Sequence, residues 1–87
     1  MNGQHFSNLR SLKETAAWLV SKRASKNIPS VGLVAKDLDG LLEKDLDDYE
    51  KARKAVPLTD LVKLKKYYEV DTKEFFLFLE KIRKISM

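Results

Sequence analysis

The sequence has no cysteine, one histidine, two prolines, three glycines and one tryptophan. Without cysteine there is no disulfide, no thiol nucleophile and no cysteine-based zinc site, a usage that suits a reducing compartment. The lone histidine, His5, stands near the N-terminus and leaves no set for a histidine-based metal centre. No stretch approaches the roughly 18 consecutive apolar residues that cross a bilayer. The N-terminal MNGQHFSNLRSLKETAAWLV has no charged start followed by a long apolar run, so no signal peptide is expected. Acidic residues are plentiful, but with no histidine among them they assemble no catalytic site. Asp37-x-Asp39-Gly40 is too short for a calcium loop of the EF-hand type. The expectation is a cytoplasmic chain that is not an enzyme, with no cofactor, membrane or small-molecule substrate.

What is present fits one globular domain over residues 1–87: 44% hydrophobic and 34% charged residues, without repeat, linker or low-complexity tract. The net charge is +4 and the isoelectric point about 9.4, which permits a polyanionic partner. The charge is unevenly spread. Residues 1–29 carry five basic residues and one acidic, 30–54 five and seven, 55–87 seven and five. The middle is the acidic part of a basic protein.

Apolar spacing predicts five helices and no strand. The first runs from about Phe6 to Lys26, with Phe6, Leu9, Leu12, Ala16, Leu19, Val20 and Ala24 on its apolar side and Ser7 or Asn8 as cap. Trp18 is expected in the core. Pro29 ends the following turn by forcing Ile28 out of helical geometry. The second helix spans about Ser30 to Leu38, with Leu33, Val34 and Leu38 inward, and Asp39-Gly40 forms its exit. The third runs from Leu41 or Leu42 to about Arg53, with Leu42, Leu46 and Tyr49 on one face. The fourth, from Thr59 to Glu69, buries Leu58, Leu61, Val62, Leu64, Tyr67 and Tyr68. Asp71 and Glu74 read as a capping box for the last helix, Thr72 to about Ile85. Helical spacing places the late aromatics in the core, and Lys63, Lys65 and Lys66 on a solvated face.

A second and third helix joined by a tight glycine-containing turn, over residues 30–53, form a helix-turn-helix signature. Residues 49–76, YEKARKAVPLTDLVKLKKYYEVDTKEFF, resemble the lambda-repressor-like, Cro/repressor (XRE-type) DNA-binding domain. Tyr49-Glu50 stands where that family closes its third helix. Lys51 to Lys54 stand in its basic loop, Leu58, Leu61, Val62 and Leu64 in its fourth-helix core, and Val70 and Glu74-Phe75-Phe76 at its end. The match runs without a gap over this segment and extends more weakly over residues 28–78. Three features depart from the family: the Asp39-Gly40-Leu41 turn is one residue longer, Ala52 or Arg53 occupies the loop position of the usual glycine, and Val56-Pro57 shifts the proline by one.

The resemblance implies an all-α, five-helix lambda-repressor-like helix-turn-helix domain that binds double-stranded DNA as a repressor-like transcriptional regulator. The third helix would enter the major groove. Leu42, Glu43, Lys44, Asp47 and Asp48 would be at base edges, and Lys36, Lys51, Arg53 and Lys54 at phosphates. One carboxylate can accept from a cytosine amino group, but four or five within eight residues oppose phosphate binding. The alternative is a helix-turn-helix used as a protein-interaction module, an antirepressor or an inhibitor of a larger regulator, that offers the acidic helix 42–50 to a basic protein partner. The last helix, 72–85, is apolar on more than one face. Phe75, Leu79 and Ile82 can point inward, which leaves Phe76 or Phe78 with Leu77 and Ile85 uncovered, and Phe76, Leu77, Phe78 and Ile85 are the expected homodimer interface.

Overall fold

A computed structural model describes residues 9–86, with the side chains of residues 9–85. The expectations for His5, Phe6, Ser7 and Asn8 lie outside the described residues. Five helices are present among the described residues: α1 (Leu9–Ser25), α2 (Val31–Asp37), α3 (Glu43–Glu50), α4 (Leu58–Tyr67) and α5 (Thr72–Ser86). No strand occurs among the described residues.

Three of the helices end in the same way without glycine. At the end of α1 the Ile28 amide reaches back to the Arg23 carbonyl (3.2 Å) and the Asn27 amide to that of Ala24 (2.9 Å). At the end of α3 the corresponding bonds are Arg53 to Asp48 (2.9 Å) and Ala52 to Tyr49 (3.3 Å). At the end of α4 they are Val70 to Lys65 (3.0 Å) and Glu69 to Lys66 (3.1 Å). This is the Schellman pattern, which needs one left-handed residue just past the helix. Asn27, Ala52 and Glu69 take that conformation, with φ of 59°, 58° and 56°. The third helix therefore stops at Glu50, not Arg53, and Lys51 to Lys54 lie on its exit turn.

The α2–α3 connection uses its glycine: Gly40 has φ 90°. Leu41, next in line, is buried, while Leu42 caps α3 from outside. The expected inward face of the third helix is thus corrected from Leu42 to Leu41, because helical geometry starts only at Glu43. Leu33 and Leu58, also expected inward, are exposed, as are Val20 and Ala24. Each lies on the flank of a helix whose buried stripe is narrower than its apolar stripe. Asp71 caps α5 as expected, accepting from the Lys73 amide at 3.0 Å and less closely from that of Glu74 (3.4 Å). The Glu74 carboxylate, expected to reach back, instead pairs with Lys22 of α1.

The core gathers Leu19 of α1, Val34 of α2, Leu46 and Tyr49 of α3, Leu61 and Leu64 of α4, and Phe75, Phe78 and Ile82 of α5, with Leu41, Val56, Tyr68 and Val70 from the connections. Helices α1 and α5 run antiparallel along one side. Glu14 meets Lys81 (3.1 Å), Trp18 stacks on Phe78 (centroids 4.3 Å apart), and Lys22 meets Glu74, in steps of four residues along α1. That stack corrects the expectation for Phe78. It is only 7% exposed, covered by Trp18, and cannot form part of an outer surface. Phe76 and Leu77 do remain exposed, and Ile85 is half-buried.

Candidate nucleic-acid interface

Helix α3 is held from three sides. Beneath it, Leu46 and Tyr49 are buried, and the Tyr49 hydroxyl donates to Asp60 of α4 at 2.7 Å. Burial and that carboxylate raise the Tyr49 phenol far above its ordinary value, so it stays a neutral donor. At its C-terminal end the Arg23 guanidinium forks onto Glu50, Nε to Oε2 and Nη2 to Oε1 both at 2.9 Å, while Nη1 donates to the Ile28 carbonyl (2.9 Å). The two side chains are 19% and 10% exposed, and the hydrogen bond to Glu50 raises the Arg23 pKa further. At its side α2 packs against α3, and the α2–α3 turn lies beneath Lys63 of α4.

The remaining acids of α3 have two physical roles. Glu43 and Asp45 stand in the first turn of a helix whose N-cap, Leu42, offers no side-chain acceptor. There negative charge offsets the unsatisfied amides. Asp45, Asp47 and Asp48 are also neutralised by nearby cations. Lys44 meets Asp48 at 3.0 Å and Lys51 meets Asp47 at 2.9 Å, both one helical turn apart. Lys54 folds back to Asp45 at 2.8 Å, and Arg53 lies 3.7 Å from Asp48 and 4.0 Å from Asp47. The hydrogen bond from Lys44 lowers the Asp48 pKa, and the one to Asp45 raises that of Lys54. A helix that looks like bare negative charge in sequence is a ladder of exposed ion pairs.

Six of the nine residues named for the interface therefore come together: Lys44, Asp47, Asp48, Lys51, Arg53 and Lys54, while Leu42 stands exposed at the N-cap. Lys44 is 83% exposed, whereas the Asp48 side chain is only 15% exposed and less accessible than Asp47. Lys36 lies exposed on α2 and makes no ion pair among the described residues. Glu43 stands apart, its carboxylate lying over Gly32 of α2. Sequence reasoning missed Asp45 as the partner of Lys54. The Lys44/Asp48 and Asp47/Lys51 pairs carry the spacing of four that signals a helical ion pair, but Asp45 and Lys54 meet only because the exit turn reverses the chain. It also missed Arg23, whose partner is 27 residues away.

No helix among the described residues is long and apolar enough to cross a membrane, and no group of three metal-ligating side chains occurs among them. The chain matches no family model, no curated protein and no solved structure.

Proposed function

We propose that this domain is a small repressor-like transcriptional regulator that binds double-stranded DNA, with α2 and α3 acting as a helix-turn-helix and α3 addressed to the major groove. The observation that carries this reading is the packed α2–turn–α3 pair, with four exposed cations on the outer side and exit turn of its second helix. Lys51, Arg53 and Lys54 on the exit turn and Lys36 on α2 would contact phosphates, with Lys44 at the base edges. Their carboxylate partners are a modest obstacle. An exposed ion pair is worth about 0–1 kcal/mol, and a duplex offers a far denser row of negative charge. Asp47, the more accessible carboxylate, is the candidate acceptor for a cytosine amino group.

The competing reading is a protein-interaction module that presents residues 42–50 to a basic surface. One observation favours it: each cation that would grip phosphate beside α3 already has a carboxylate on it. The readings separate in fluorescence anisotropy, with labelled duplex from upstream of the gene and an unrelated duplex, each titrated over salt. DNA binding predicts affinity for the first duplex with a steep negative salt slope. Lys51→Ala and Lys54→Ala then weaken binding to both sequences and flatten that slope by about one unit each. Asp47→Asn relaxes sequence preference if Asp47 reads a base, and strengthens binding to every duplex alike if it only repels. No binding to either duplex at low salt overturns the proposal. The test then moves to basic protein partners, whose binding is lost when Asp47 and Asp48 are neutralised together.

A further inference from the structure

The outer face of α5 carries a pattern that is its own complement when reversed. Lys73, Phe76, Leu77 and Glu80 are all exposed, Phe76 and Leu77 at 61% and 60%. With about 100° between successive helical residues, Lys73 and Glu80 fall on one line two turns apart, with Phe76 and Leu77 on either side of it. On the Phe76 side the face continues into an apolar groove formed by Leu58 and Leu79 and edged by Glu80 and Arg83. On the Leu77 side it continues onto Ala17 and Trp18. Lys73 makes no ion pair among the described residues, and Glu80 has only a loose contact with Arg83 (3.9 Å), both side chains more than half exposed.

We infer that this face binds a second copy of the chain, α5 against α5 in antiparallel register about the midpoint between Phe76 and Leu77. Reversal about that point exchanges position 73 with position 80. Lys73 of each copy then faces Glu80 of the other, giving two symmetric ion pairs, while Phe76 meets Phe76 and Leu77 meets Leu77 across the seam. A twofold contact requires such self-complementarity, and few helix faces with one acid and one base supply it. Opposite charges also settle the direction, since a parallel pairing at the same level would set lysine beside lysine and glutamate beside glutamate. The seam is independent of the reading of α3 and is tested without nucleic acid.

The test is charge reversal followed by mixing, read by sedimentation velocity over a concentration series, with circular dichroism to check helix content. Wild type self-associates to a dimer. K73E alone places glutamate against glutamate and E80K alone lysine against lysine, so each self-associates about tenfold more weakly. Mixing K73E with E80K restores association, because each ion pair of the mixed dimer is again opposite in sign. The double variant K73E/E80K also dimerises by itself. A local effect on folding cannot produce recovery on mixing. Wild type that stays monomeric at every concentration overturns the inference and leaves the face to a different partner. Single variants that weaken association without recovery on mixing overturn the register.

Discussion

At the scale of single residues, three left-handed positions mark where this chain departs from the easiest local solution. Glycine takes positive φ without penalty, whereas a residue with a Cβ is strained there by about 1–2 kcal/mol. Asn27 tolerates it through its short polar side chain, but Ala52 has no such recourse. The resemblance leads one to expect glycine here or at Arg53, and the left-handed angle falls on Ala52. Ala52→Gly should therefore stabilise the fold by about 0.5–1 kcal/mol, the relief of strain exceeding the added freedom of the unfolded chain. Urea unfolding followed by Trp18 fluorescence measures this, and a loss of stability would mean that the Ala52 methyl group packs more usefully than its backbone angle suggests. The conformation itself was not legible in the sequence. Alanine is an ordinary helix former, and nothing local distinguishes Ala52 from the middle of a longer helix. The same ambiguity let periodicity extend the third helix to Arg53. By contrast, Asp71 before Thr72 and Gly40 after Asp39 were legible, because each residue type has few reasons to occupy such a place.

At the scale of elements, the decisive contact is between helices far apart in sequence. Arg23 at the end of α1 and Glu50 at the end of α3 form a two-pronged, largely buried pair, and the same guanidinium holds the Ile28 carbonyl. It fixes where α3 ends, and so where the exit turn with Lys51, Arg53 and Lys54 begins. Glu50→Ala should destabilise the protein by about 2 kcal/mol, since it leaves a mostly buried guanidinium without its anion. Lys44→Ala, which removes an exposed pair, should change stability by less than about 0.5 kcal/mol. Paired urea titrations check the contrast, and equal effects would remove the distinction between the lock and the ladder. Helix number, order and most of the buried stripe followed from apolar spacing: Leu19, Val34, Leu46, Tyr49, Leu61, Leu64, Phe75 and Ile82 all lie inside. What spacing could not decide was how wide each stripe is. Leu33, Leu58 and Phe78 differ in burial only because of which neighbour lies opposite, and Trp18 covering Phe78 is a fact about α1, not about α5.

At the scale of the whole molecule, charges and buried phenols set the pH window of the fold. On the acid side, Asp48 and Glu69 have pKa values lowered by Lys44 and Lys26, so their contribution is present above the ordinary carboxylate range and fades as pH falls through their lowered values. Glu69 is exposed and the Lys44 partner of Asp48 stands in solvent, so this edge should be shallow. The alkaline edge is different in kind. Burial pushes the Tyr68 phenol from 10.0 up to about 12, aided by Glu50 nearby, and raises Tyr49 still further. A raised pKa means that the folded protein keeps its proton while the unfolded chain has already lost it. The contribution is thus complete below pH 10 and is lost as pH rises towards 12. Unfolding free energy should decline through that interval, and Tyr68→Phe should decline less steeply, since its position no longer titrates. Every other ionisable group is common to both proteins, so the difference between the two pH profiles isolates Tyr68. Parallel profiles would mean that the Tyr68 hydroxyl reaches water in the folded state, and that the junction of α1, α3 and α4 where it lies is less tightly closed than its burial implies.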